Sequence, residues 1–182
     1  MATWDLLGTS TVAGSSTQTI SFTSINQNYK DLCIVALLKD NLTASHGQSG
    51  MQIAPKTAAG GAMTLGMGYM YMGYNSTTPT SYQYGSGQTQ ISTYIANNAT
   101  GYTGVAPQYM YFYDYSSTTV AKNMLLSNGI IGGSAQSANN TFQLWRSLIN
   151  DASNNPVGRI DITSQSGYFL AGCVASLYGI EG

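Results

Sequence analysis

Short apolar and aromatic runs alternate along the chain with clusters of Gly, Asn and Ser. Thr17–Phe22 alternates polar with apolar positions toward its end, which predicts a strand with one buried face. Leu32–Leu38 is an uninterrupted apolar run, which predicts a central strand buried on both faces. Similar patterns predict further strands at Tyr69–Tyr74, Gln108–Tyr115, Val120–Leu126, Phe142–Ile149, Ile160–Ile162 and Tyr168–Ile180.

These patterns predict an all-β protein of about eight strands, since no window shows a helical period bounded by caps. Leu42–Gly50 and Thr57–Met63 are predicted loops. Many short strands joined by Gly and Asn turns indicate an antiparallel β-sandwich, and we favour a jelly-roll-like arrangement. We expect one domain over residues 1–182, with residues 1–16 as an attachment arm. The predicted core contains Leu32, Ile34, Ala36 and Phe169–Leu177.

Charged residues form only 7% of the chain, whereas hydrophobic residues form 43%. Ordinary globular proteins carry roughly 25% charged residues. A surface of hydroxyl and amide groups costs less to desolvate than a charged one, so stable self-association is expected. The six basic residues are scattered, which argues against nucleic acid as a partner. The apolar runs are too short to cross a membrane, and the N-terminus does not resemble a signal peptide.

Groups suited to catalysis or metal binding are scarce. His46 is the only histidine, and it lies in a predicted loop. Without a second histidine or a group of close cysteines, no metal site or cofactor is expected. Asp114 and Asp161 are interpreted as surface residues or as ion-pair partners of Lys122, Arg146 or Arg159. We therefore expect a protein that is not an enzyme.

Cys33 and Cys173 each lie in an apolar run. This setting favours free, buried thiols, although the sequence leaves a disulfide between them open.

Tyrosine is the strongest remaining signal, with 14 residues. Tyrosine is enriched at protein interfaces and also offers a flat ring on which a sugar can stack. We favour a subunit interface over glycan contact and over a plain core role. The predicted interface residues are Tyr69, Tyr71, Met72, Tyr109, Tyr111 and Tyr113.

Two end segments carry a resemblance to known proteins. Ile20–Leu32 contains Phe, then Ile, a short turn and Tyr-x-Asp-Leu, and Phe169–Ile180 contains Phe-x-x-Gly and ends in Leu-Tyr-Gly-Ile. Asp114–Lys122, Trp145-Arg-Ser and Ile160–Ser164 follow in order between them. These segments resemble small virion structural proteins of tailed bacteriophages, of the tail-fibre, appendage or capsid-decoration type, over about residues 17 to 180.

The resemblance implies a surface-displayed structural protein of the virion, assembled in the host cytoplasm, with no active site. Its expected partners are other copies of itself, as a homotrimer, and proteins of the capsid or tail. A dimer, a pentameric ring and either location on the particle stay open. The alternative is a carbohydrate-binding module of a tail fibre or tail tip that recognises a host surface glycan.

Overall fold

A computed structural model describes residues 3–14, 16–43, 48–73, 80–96, 98, 105–130, 141–149 and 153–182. For residues 48, 67–73, 80–86, 106, 130 and 141 it describes the backbone alone. The described chain is all-β and contains two antiparallel sheets, as the sequence predicted. Its strands are β1 (Trp4–Thr11), β2 (Thr19–Phe22), β3 (Asp31–Leu38), β4 (Gln48–Lys56), β5 (Leu65–Gly73), β6 (Thr80–Gln88), β7 (Ile91–Ala96), β8 (Ala106–Tyr113), β9 (Lys122–Ile130), β10 (Thr141–Ile149), β11 (Arg159–Ser164) and β12 (Val174–Ile180).

Eight of these strands form a set of nested antiparallel pairs. Strand β1 pairs with β12, β2 with β11, β3 with β8 and β4 with β7. Successive pairs of this set alternate between the sheets, which gives β1-β12-β3-β8 in one and β2-β11-β4-β7 in the other. A long hairpin rolled up so that its two arms stay paired gives this arrangement, and it is the pattern of a jelly roll.

Two hairpins are inserted into this arrangement. Strands β9 and β10 continue the first sheet beyond β8, and β5 and β6 continue it beyond β10. The first sheet therefore has eight strands and the second has four. The expected number of about eight strands is too low for the described chain, which has twelve, because β1, β4, β6 and β7 were not predicted. Within the described ranges, no helix has the length and apolar character needed to cross a bilayer.

The core lies between the two sheets. Leu32, Ile34 and Ala36 point inward from β3 and are buried, as predicted. Phe169, Cys173, Ala175 and Leu177 are buried too, but the prediction that the whole range Phe169–Leu177 lies in the core is wrong at Ala171 and Gly172, which are exposed, and at Val174, which points outward. The inward positions of the small sheet match those of β3, because Ile20, Ile53, Ile91, Ile95, Ile160 and Ile162 are all buried. Both cysteines are buried and free.

Other local predictions fared differently. The end of the loop predicted at Leu42–Gly50 belongs to β4, and His46 lies outside the described residues. Asp114 follows β8 in a turn with a positive φ of 51° instead of continuing the strand. Strand β1 lies within residues 1–16 and pairs with β12 at the sheet edge. An attachment role for this segment stays a prediction.

The sequence segments Ile20–Leu32, Asp114–Lys122 and Phe169–Ile180 meet at one corner of the fold. The backbone N–H of Lys30 donates to the carbonyl of Ile180 at 3.2 Å. The N–H of Asp114 donates to Oδ1 of Asp31 at 2.8 Å, and the Tyr115 hydroxyl donates to the carbonyl of Asn26. These hydrogen bonds join the ends of β3, β8 and β12.

Tyr29 covers Gly179 at this corner. A Cβ atom built on Gly179 would lie 2.5 Å from Cγ of the Tyr29 ring. The Tyr29 hydroxyl donates to Oδ2 of Asp5 at 2.9 Å. This hydrogen bond holds the ring in place and raises the pKa of the Tyr29 hydroxyl. Glycine is needed here because the ring rests directly on the strand backbone.

We predict that Gly179→Ala lowers the free energy of unfolding by about 1–3 kcal/mol, because the new methyl group overlaps the ring. Urea denaturation measures the change. Gly8→Ala is the matched control, because a Cβ on that strand glycine meets nothing within 4 Å. If overlap is the cause, Tyr29→Ala should remove most of the penalty in the double variant. A Gly179→Ala protein as stable as the Gly8→Ala protein would refute this account.

Candidate interaction surface

The two sheets have outer faces of opposite character. On the four-stranded sheet the outward side chains are mostly polar, and Thr19 and Thr163 share a hydrogen bond of 3.0 Å. Asp161 lies between two cations there, with Oδ2 2.8 Å from Nζ of Lys56 and Oδ1 2.8 Å from Nε of Arg159. The interpretation of Asp161 as a partner for Arg159 is confirmed. This face has the composition of a surface in contact with water.

The eight-stranded sheet presents a different surface. Strand register places a continuous set of apolar and aromatic side chains on its outer side, across β1, β12, β3, β8, β9 and β10. We call this set the aromatic face. It consists of Trp4, Leu6, Cys33, Val35, Leu37, Tyr109, Tyr111, Tyr113, Leu125, Phe142, Leu144, Leu148, Val174, Tyr178 and Ile180.

Rings cover the middle of the aromatic face. The Trp4 ring lies 5.9 Å from that of Tyr178 and 6.1 Å from that of Tyr111, measured between centroids. Tyr111 and Tyr113 stack at 6.2 Å with an angle of 16° between their planes. Such offset and edge contacts favour a fixed arrangement of rings.

Cys33 lies beneath these rings and is buried although it points outward. Burial raises the pKa of its thiol to about 11, against an opposing hydrogen bond with Tyr111. Burial also raises the pKa of Tyr111 to about 12. Both groups therefore stay neutral at physiological pH, and the thiol acts as a small apolar side chain.

Away from this cluster the aromatic face is open. Leu6 is 60% exposed, Tyr109 45% and Leu37 43%. The expectation that Leu32–Leu38 is buried on both faces is therefore wrong at Leu37. No layer of the described chain covers that side of β3. A strand whose sequence is apolar at every position, yet open to solvent on one face, is typical of a surface that a partner covers.

The predicted interface residues divide into two groups. Tyr109, Tyr111 and Tyr113 share the aromatic face on β8, as their alternation required. Tyr69, Tyr71 and Met72 belong to β5, where their backbones pair with Trp145, Gln143 and Phe142 of β10. The side chains of that second group lie outside the described part of the structure.

Sequence reasoning missed Trp4, Leu6, Leu37 and Tyr178 as members of this surface. Each stands in an apolar run that was assigned to the core or to the N-terminal arm. The signal was present in the continuous apolar sequence of β3, because one covering sheet can bury only alternate residues.

Polar side chains form a buried cluster on the opposite, inner side of the same sheet. Thr93 of β7 donates to Oε1 of Gln143 at 2.5 Å, and Nδ2 of Asn128 donates to Oγ1 of Thr93 at 2.7 Å. Nδ2 of Asn128 is also 2.8 Å from the carbonyl of Tyr94. These bonds hold the small sheet against β9 and β10 and fix which side of the inserted hairpin faces outward.

Comparison with protein-family models and with curated proteins finds no match to this chain. Within the described residues, no three His, Cys, Asp or Glu side chains are grouped so that they could hold a metal ion.

Asp40 is a buried carboxyl on the side of the fold away from the aromatic face. Its Oδ1 accepts from the backbone N–H of Leu42 at 3.1 Å, and its Oδ2 accepts from the Ser164 hydroxyl at 3.4 Å. Burial outweighs these bonds and raises its pKa. Burial also disfavours the charged form of Asp161, but hydrogen bonds from Arg159 and Lys56 prevail and lower the pKa of that carboxyl.

The two carboxyls should give stability changes of opposite sign with pH. The folded state holds the Asp40 proton more tightly than the unfolded state does. This carboxyl therefore stabilises the fold fully below its ordinary pKa of about 4, and the stabilisation is lost as pH rises through the raised pKa. Relative to wild type, Asp40→Asn should therefore become more stable as pH rises above about 4. The Asp161 carboxyl has a lowered pKa, so its stabilisation is full above the ordinary pKa of about 4 and is lost as pH falls through the lowered pKa. Relative to wild type, Asp161→Asn should therefore become less stable as pH rises toward about 4 and should show no further change above it. Urea denaturation on both sides of pH 4 measures both differences, and a pH-independent Asp40→Asn difference would contradict the assignment.

Proposed function

We propose that this protein is a non-enzymatic structural protein of a tailed-bacteriophage virion, displayed on the particle and assembled as a homo-oligomer through the aromatic face. The observation that carries the proposal is the exposure of Leu37 and Tyr109 on strands whose sequences suit burial on both sides. The resemblance of Ile20–Leu32 and Phe169–Ile180 to virion proteins supports a location on the phage particle. The exposed apolar side chains of the aromatic face support assembly into an oligomer.

Size limits the contact. Of the six strands of the aromatic face, the four that carry the proposed contact, β1, β12, β3 and β8, span about 14 Å across and about 27 Å along the strands, or about 390 Å² before side-chain relief is counted. A stable interface buries about 800 Å² per partner, so these four strands supply about half of the requirement and neighbouring parts of the subunit must supply the rest.

Charge supports a second copy as the occupant. Asp31, at the start of β3, and Arg146 on β10 are the charged residues at described outward positions of these six strands. Two such faces can approach with little repulsion between like charges and little charge to desolvate. A strongly charged partner would find few complementary groups.

The strands β1, β12, β3 and β8 carry the exposed Leu6, Leu37 and Tyr109 together with the ring cluster. We place the subunit contact on this part of the aromatic face. The polar face of the small sheet then points to solvent. A trimer, as the resemblance implies, would have three times the chain mass of 19.3 kDa.

We predict that the wild-type protein sediments as an oligomer at micromolar concentration and that Leu37→Lys combined with Tyr109→Lys yields a folded monomer. Burying an unpaired cation costs about 3 kcal/mol or more, which weakens association more than a hundredfold. Sedimentation velocity measures the mass, and circular dichroism checks the fold.

Tyr94→Lys provides the matched control, because Tyr94 is 43% exposed on the outer face of the small sheet. This variant should remain oligomeric. A monomeric wild-type protein would refute the assembly. Immunogold labelling of intact particles tests the virion role separately, and particles that carry none of the protein would refute it.

A further inference from the structure

Three buried amide side chains stand in a row on the inner side of the eight-stranded sheet. Gln108 of β8 lies opposite Asn128 of β9, and Asn128 lies opposite Gln143 of β10. Each of the three is at most 1% exposed. Side chains directly opposite each other on neighbouring strands have Cβ atoms about 4.5–5.5 Å apart, so these amides are immediate neighbours. We call them the amide row.

Hydrogen bonds attach the amide row to β7 of the small sheet. Nδ2 of Asn128 donates to Oγ1 of Thr93 at 2.7 Å and to the carbonyl of Tyr94 at 2.8 Å. Nε2 of Gln108 donates to the same carbonyl at 3.4 Å, and Oε1 of Gln143 accepts from the backbone N–H of Tyr94 at 3.4 Å. These bonds fix the direction of each amide, because a reversed Asn128 or Gln108 amide would set its oxygen against the Tyr94 carbonyl oxygen.

Two oxygen atoms of the amide row accept no hydrogen bond from the residues that the structure describes. They are Oε1 of Gln108 and Oδ1 of Asn128, and both are buried. An amide oxygen that leaves water without gaining a donor costs stability, so buried amide oxygens in folded proteins nearly always have a partner. The two atoms belong to side chains at facing positions of β8 and β9, so one small molecule can reach both.

The chemistry of the two oxygens defines their partner. Both are acceptors, so the partner has to donate two hydrogen bonds. Within the described chain, the hydrogen bonds of the amide row involve no carboxylate, so a metal or ammonium ion there would be buried without a counter-charge. Water is uncharged and has two O–H groups, and buried water typically bridges polar groups that have no other partner.

We infer that a buried water molecule bridges Oε1 of Gln108 and Oδ1 of Asn128. One O–H group donates to each oxygen, which completes the hydrogen bonding of the amide row. The bridge joins β8, which belongs to the rolled core, to β9 of the inserted hairpin. It adds a second polar link to the one that Thr93 makes. This inference goes beyond the proposed virion role and does not depend on assembly.

Magnetic relaxation dispersion of the solvent tests the inference on the full chain, because it counts water molecules that stay bound for longer than the protein takes to tumble. We expect Gln108→Met to hold one long-lived water fewer than wild type, because methionine has a similar length and no amide oxygen. Met110→Leu is the matched control, since Met110 is buried on the same inner side of β8 and the change conserves volume. This variant should keep the wild-type count. Circular dichroism checks that both variants fold.

A second measurement needs no variant. Cross-relaxation in NMR between water and the side-chain amide protons of Asn128 and Gln108 should have the sign of a long-lived contact in the wild-type protein. Its absence would overturn the inference, as would an equal water count in wild type and folded Gln108→Met. An equal loss of water in Met110→Leu would attribute the change to general loosening of the core and would overturn it too.

An ion in place of water is separated by exchange of the salt. Sodium and potassium are replaced by choline at constant ionic strength, and urea denaturation is repeated. We expect wild type and Gln108→Met to respond equally, because water is present in both solutions. A loss of stability in wild type that Gln108→Met does not share would mean that a cation occupies the site, and the water bridge would be refuted.

Discussion

The structure depends on how the two faces of β3 are buried. Its inward residues are sealed by the small sheet, whose isoleucines close the core, whereas its outward residues belong to the aromatic face. A sheet that is apolar on both faces gains stability when both are covered, because each exposed apolar Å² costs about 25 cal/mol relative to burial. One covering layer is supplied by this chain. In the assembly that we propose, a second copy supplies the other layer, which links the fold to assembly.

The nested strand pairs and the inserted hairpins have separate tasks. Pairing of β1 with β12 and of β3 with β8 brings distant parts of the chain together, and the corner around Tyr29 and Gly179 secures their ends. The hairpin of β9 and β10 adds surface instead. It depends on Thr93, Asn128 and Gln143 for its attachment to the small sheet, and it contributes the outward Asn123, Leu125 and Arg146.

The sequence allowed the fold class, the jelly-roll arrangement and eight of the twelve strands to be predicted, because those strands have clear apolar or aromatic runs. Strand β4 was missed since it contains Gly50 and Pro55, residues that usually end strands. Strand β1 is interrupted by a register shift between Leu6 and Gly8, which conceals its period. Tyr109, Tyr111 and Tyr113 were found by alternation. Arg146 was named only as an ion-pair candidate, because its place beside Leu125 on the outer face depends on the register between β9 and β10.

The two outer faces differ in polarity, so water is favoured on one side of the molecule and a partner on the other. On the small sheet, Asp161 already neutralises Lys56 and Arg159, and hydroxyl pairs such as Thr19 with Thr163 satisfy one another, so water is an adequate neighbour there. On the large sheet, a partner gains by covering Leu37 and Tyr109, but it would have to desolvate Arg146 without a counter-charge if it extended over β10. A contact confined to the side of the face near β1 and β3 avoids that cost. Among the described residues, one cation without a counter-charge therefore separates the part of the aromatic face suited to another subunit from the part that such a contact would leave to solvent.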